Sequence, residues 1–101
     1  MHLIQMLLPL HDNRGEPFNG ALYEEIRQDL ADNFGGVTTY MRAPASGLWE
    51  DQGEKVKDDV VIFEVMVDRL EREFWRLYRL ELQEKFKQDV LVMRAQKIEV
   101  L

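Results

Sequence analysis

The stretch Phe34-Gly35-Gly36-Val37-Thr38-Thr39-Tyr40-Met41-Arg42, continued by Ala43-Pro44-Ala45-Ser46-Gly47-Leu48-Trp49-Glu50-Asp51, decides the fold class. A helical pattern runs into it and stops at Gly35-Gly36, where glycine supplies the positive φ of a helix C-terminus. A β-branched and aromatic run, Val37 to Arg42, then reads as a strand. The segment from Ala43 to Asp59 reads as a long loop with a hairpin extension around Gln52-Gly53. Loops of that length inside compact domains tend to be functional or partly structured.

Working outward, Phe18, Leu22, Ile26, Leu30 and Phe34 recur every four residues. They place an apolar stripe on a first helix that begins near Pro17 to Asn19. Before it, Leu3 to Leu8 reads as a first strand, ended by Pro9 because proline cannot donate to a ladder. After the loop, Val60 to Val67 is apolar at every position except Glu64, a third strand. A second helix is expected from about Arg69 to Lys87, capped by Asp68. Its apolar set is Leu70, Phe74, Trp75, Leu77, Tyr78, Leu82 and Phe86. A fourth strand is expected from about Val90 to Glu99. The order is β-α-β-β-α-β, which predicts an α+β, ferredoxin-like sandwich. Its four-stranded antiparallel sheet would carry both helices on one face, in the spatial order fourth-first-third-second. The chain of 101 residues suits one such domain, residues 1–101.

Composition narrows the function classes. There are 13 basic and 19 acidic residues, for a formal net charge of −6. That argues against a nucleic-acid partner, which needs a basic stripe. Cysteine is absent, which removes thiol nucleophiles, thiolate metal sites and disulfides. The run Leu3 to Leu10 is far short of the ~20 apolar residues that span a bilayer. It also lacks the basic start and cleavage site of a signal peptide. The expectation is a cytoplasmic protein with no membrane partner.

The run Phe34-Gly35-Gly36-Val37-Thr38, followed by Gly47-Leu48-Trp49 and Asp58-Asp59-Val60-Val61, resembles small bacterial proteins without assigned activity in the ferredoxin-like, dimeric α/β-barrel superfamily. The resemblance implies a dimer packed sheet face to sheet face. It also implies that some members bind or transform small organic molecules between the sheet and its covering elements. Neither His2 nor His11 sits where a haem ligand would be expected.

Strand alternation independently points to the second sheet face. In the third strand, Val61, Phe63, Val65 and Val67 form one apolar row, assigned to the helix-covered core. The other row is Val60, Ile62, Glu64 and Met66, too apolar for a face open to water. A homodimer through Val60, Ile62 and Met66 is therefore expected. With Ile4, Met6 and Leu8 in the core, the second face would carry Tyr40 or Arg42, then Glu64, Gln5 and Arg94. That is a polar strip on an apolar surface. A buried carboxylate must be paired or protonated, and arginine is a suitable partner.

Two readings of Glu64 stay open. In one, Glu64 and an arginine form a structural ion pair that sets dimer register. In the other, Glu64 is a base in a small-molecule pocket. There Arg94 or Arg42 anchors an anion, Tyr40 and Trp49 form apolar walls, and Gln5 lines the site. Trp49 reads better as a dimer anchor than as a lid over a pocket. His11 and Asp12 follow the first strand and could pair, and Asp58-Asp59 with Glu50 and Asp51 could approach a hard cation. Neither pattern has the spacing of a metal site, so no metal and no cofactor is expected. Gly35-Gly36 follows a helix instead of opening one, so it is not a phosphate loop. The main reading is a non-catalytic interaction or structural module. The alternative is a cofactor-independent enzyme or binding protein for a small organic molecule.

Overall fold

The computed structural model describes residues 1–36 and 60–101, and the backbone of 38–42, 50–51 and 54–55. The elements in chain order are β1 (His2–Pro9), α1 (Gly20–Phe34), β2 (Thr38–Arg42), β3 (Glu50–Asp51), β4 (Glu54–Lys55), β5 (Val60–Val67), α2 (Arg72–Lys85) and β6 (Met93–Lys97). Two helices and an antiparallel sheet make this an α+β fold. The sheet order is β2-β5-β1-β6, with β3 and β4 as a separate hairpin. Read from the β6 edge, that is the expected order of the four main strands.

Local chemistry explains the element ends. Asn19 caps α1, its side chain accepting from the Ala21 amide at 2.9 Å. Gly35 closes the helix in the left-handed region at φ 78°, and its N–H reaches the Ala31 carbonyl. At the other end of the molecule, the Tyr23 hydroxyl donates to the Pro9 carbonyl at 2.6 Å, tying α1 to the end of β1. Burial pushes that phenol up to about 12.

Period two in the strands and period four in α1 converge on one core. Ile4, Met6 and Leu8 of β1 and Phe63 and Val65 of β5 are buried with Ile26 and Leu30 of α1 and Trp75, Leu82 and Phe86 of α2. Both helices thus cover the same sheet face. An aromatic seam runs through this layer, with Phe34 stacked on Trp75 at 5.0 Å and Phe18 edge-on to Phe86 at 5.0 Å.

The second half departs from expectation in three places. Helix α2 starts at Arg72, not Arg69, and Asp68 does not cap it; Glu71 holds the cap position with no side-chain cap bond. The chain uses 68–71 to cross from the sheet to the helix layer. Phe74 and Leu77 are exposed, so the buried stripe of α2 is narrower than the apolar set suggested. Strand β6 covers Met93–Lys97, because residues 88–92 pass from the helix to the sheet edge.

The register of β1 settles the two faces. Gln5 stands opposite Glu64 of β5 and Arg94 of β6. Ile62 is 1% exposed yet lies outside the helix-side core. It therefore finds cover within the chain on the second face, which the sequence reading left to a partner. Met66, on the same row, is 56% exposed.

Candidate functional site

Three strands bring three polar side chains to one pleat position on the face away from the helices. The Arg94 Nε donates to the Gln5 Oε1 at 2.7 Å, and the Gln5 Nε2 donates to the Glu64 Oε1 at 2.7 Å. The Gln5 amide presents its acceptor to the guanidinium and its donors to the carboxylate, so one neutral group serves both ions. Glu64 and Arg94 stand two strands apart, about 10 Å at the usual strand spacing, where their direct attraction is weak. Glu64 is half-buried, and Arg94, on the edge strand, is exposed.

The β2 register changes the far end of this strip. Thr38 is the β2 residue opposite Glu64, whereas Tyr40 pairs with Ile62 and Arg42 with Val60. Tyr40 and Arg42 thus stand two and four residues along β5 from the carboxylate. Trp49 lies outside the described residues, as do Asp58 and Asp59.

Beside the strip is a cleft of about 890 Å³ at the end of β1. Leu7, Pro9, Val60 and Val92 give it apolar walls, and His11 and Asp12 border it. Leu7 follows Gln5 on the same face of β1, so the cleft wall begins one pleat, roughly 7 Å, from the Gln5 amide. The loop that forms the rim is built by Asp12. Its carboxylate accepts from the Arg14 amide at 2.8 Å and the Glu16 amide at 2.9 Å. Gly15 turns the chain at φ 80° and donates to the Asp12 carbonyl at 3.0 Å. The amides of Glu16 and Arg14 hold the Asp12 carboxyl below the usual carboxylate range. Asp12 therefore clamps its own loop and does not orient His11, so no His11–Asp12 pair forms. Among the described residues, no three His, Asp or Glu side chains gather as a metal site. Among them, too, no helix is long and apolar enough to cross a membrane.

The arrangement offers a carboxylate held by an amide, a guanidinium at the outer end and an apolar cleft one pleat away. It can attract a cationic group or take up a proton next to a bound organic molecule. Sequence reasoning placed Gln5, Glu64 and Arg94 on one face, and the strand registers make them neighbours. It missed the cleft, whose walls come from β1, the loop after it, the start of β5 and the α2–β6 connection. The only signal available was the pair of apolar residues Val90 and Val92, which it assigned to a strand.

No family model matches the chain, and no curated protein does. Two solved structures match. A phage SAM lyase in complex with S-methyl-5′-thioadenosine superposes with a TM-score of 0.63 at 13% identity, spanning 95% of this chain and 80% of the lyase chain. A phage SAM lyase in its apo state gives 0.61 at 14% identity, spanning 94% and 78%. At this identity the likeness shows the fold. Both structures are of an enzyme, a finding that goes against the non-catalytic module expected from the sequence.

Proposed function

We propose that this chain is a cofactor-independent enzyme acting on a small organic molecule held against the open sheet face. The first substrate class to consider is a sulfonium nucleoside of the S-adenosylmethionine type. The observation that carries the reading is Glu64, half-buried, bonded to Gln5, and one strand over from a cleft of about 890 Å³. That volume lies within the few hundred to about 1,000 Å³ usual for ligand sites. The likeness to a lyase of that substrate class supports the choice of substrate.

The chemistry suits the residues. A sulfonium is a cation and a good leaving group, and a carboxylate attracts it. In an elimination, the Glu64 carboxylate takes a proton from the carbon next to the one bonded to sulfur. The C–H pair becomes the new double bond, and the C–S pair leaves on sulfur as a neutral thioether. Arg94, acting through the Gln5 amide, is a positioning residue for that carboxylate. Tyr40, Arg42 and Trp49 remain candidates for the walls of the same site.

The finer fold assignment and the assembly belong to the same proposal. The strand order and the shared helix face support a ferredoxin-like domain of the dimeric α/β-barrel kind. Val60 and Met66 would meet a second copy on the open face, and Ile62 would support them from beneath.

The test is direct. Incubation with S-adenosylmethionine, followed by chromatography, should show S-methyl-5′-thioadenosine forming faster than without protein. Glu64→Gln should slow this by about 100-fold or more, as loss of a general base does. A wild-type protein that forms no thioether and shows no calorimetric binding of S-methyl-5′-thioadenosine would sink the substrate assignment. An active Glu64→Gln would sink the role of Glu64.

A further inference from the structure

A second groove lies on the helix side, between α2 and the open edge of β6. It has a volume of about 220 Å³ and is bordered by Arg72, Arg76, Arg79 and Arg94. Its floor is apolar, from Leu70, Trp75 and Met93. The first three arginines are spaced four and three residues apart, which puts them on one side of α2. Arg94 borders the groove from the edge strand, with its guanidinium turned to Gln5 on the other face of the sheet.

The charges here are poorly compensated. Arg76 pairs with Glu73 at 2.6 Å. Arg79 gives its Nη1 to the neutral Gln83 amide at 2.7 Å, and Arg94 gives its Nε to the neutral Gln5 amide. Arg72 has no side-chain partner among the described residues. The three guanidinium groups of α2 thus meet one carboxylate, in a chain whose formal net charge is −6. In such an acidic protein, surface arginines have many carboxylates to pair with. A groove where two of three are left on a neutral group or on none keeps its donors for something else.

We propose that this groove binds a small organic anion, with a phosphate or carboxylate head held by the arginines and an apolar body on Leu70, Trp75 and Met93. Planar guanidinium groups match oxyanions two bonds at a time, which favours this class over a neutral ligand. The volume suits a compact molecule and not a whole nucleotide coenzyme. The site is separate from the Glu64 surface, although Arg94 borders both, and it does not depend on the lyase reading.

The experiment is a nuclear magnetic resonance titration of the full chain with phenyl phosphate, in parallel with inorganic phosphate. Saturable shifts are expected at the Trp75 indole and at the Met93 and Ala95 amides. Phenyl phosphate should bind at least about tenfold more tightly than inorganic phosphate, through its buried ring. Arg72→Gln and Arg79→Gln should each weaken it by about tenfold, as loss of a charged hydrogen bond does. Glu64→Gln should leave it unchanged. The proposal fails if no saturable shift appears at millimolar ligand, or if the two arginine variants bind as wild type does. Equal affinity for inorganic phosphate would overturn the apolar half of the site. An oligoglutamate peptide that shifts the β6 edge, where phenyl phosphate does nothing, would make the groove a peptide surface and overturn the proposal as well.

Discussion

The two faces of one sheet have been treated differently by the same alternation. On the helix side, Ile4, Met6, Leu8, Phe63 and Val65 disappear under α1 and α2, and no polar side chain is buried among the described residues. On the other side the same strands carry Gln5, Glu64 and Arg94 in a bonded row, with Leu7, Val60 and Met66 around it. The covered face has little freedom, because removing any large side chain leaves a void. The open face holds groups that cost free energy to keep partly dry and are of use only if something approaches them. Stability is concentrated on the first face, and the proposed chemistry on the second.

The sharpest test of that division is Phe86→Ala. Phe86 is fully buried and packs edge-on to Phe18. Its loss should cost about 3–5 kcal/mol, read as a fall in the urea midpoint. A cost under about 1 kcal/mol would mean the helix layer is not the stable half. Ile62→Ala tests the exception. Ile62 lies on the open face but is buried as deeply as core residues, so it should cost about 2–4 kcal/mol. If it behaves as a surface position, its cover is not held in solution.

Gln5→Leu comes next. It removes the amide that joins Arg94 to Glu64 without opening a void. Two part-exposed bonds to charged groups are worth about 1 kcal/mol of stability together. Under the proposed lyase reading, the larger effect should be on thioether formation, where loss of the positioning amide should lower turnover more than it changes KM. Equal losses in stability and turnover would make Gln5 merely structural.

Alkali probes the covered side through Tyr23. Its phenol titrates near 12 in the fold against 10.0 ordinarily, because burial disfavours the phenolate. Between those values the unfolded chain has released a proton that the folded chain keeps. The stability it contributes is therefore complete below pH 10 and falls as pH rises toward 12. Tyr23→Phe should flatten that fall in a series of melting temperatures. An unchanged slope would place the alkaline loss elsewhere, with Tyr78, whose phenol burial also pushes up, as the next variant to test.

Much of this layout is legible in the residues. Val60 to Val67 separates into two rows by parity, and the stripe from Phe18 to Phe34 with Gly35 behind it gives α1 and its end. The polar row was legible because Gln5, Glu64 and Arg94 interrupt apolar rows. Its bonding was not, since only the relative register of three strands shows that an amide stands between the ions. Thr38, not Tyr40 or Arg42, sits opposite Glu64 because that register is set across a long connection. The start of α2 was misread because Asp68 has the chemistry of a cap but lies in the crossing segment. The arginines of α2 carried no signal in the sequence, because nothing there places β6 beside them.

The smallest effect expected on the folded chain is that of Met66→Lys, and its value lies in what it separates. Met66 is 56% exposed, so a lysine there should change single-chain stability by no more than about 0.5 kcal/mol. The same change places an unpaired charge on the apolar part of the open face. If two copies meet there, that charge must be dried without a partner, and association should weaken by about tenfold or more. Analytical ultracentrifugation over a concentration series reads the two terms apart, since urea unfolding at low concentration reports the chain alone. A wild type that sediments as a monomer at all concentrations would remove the homodimer. The open face would then be left to the proposed small molecule and to whatever the chain itself lays over Ile62.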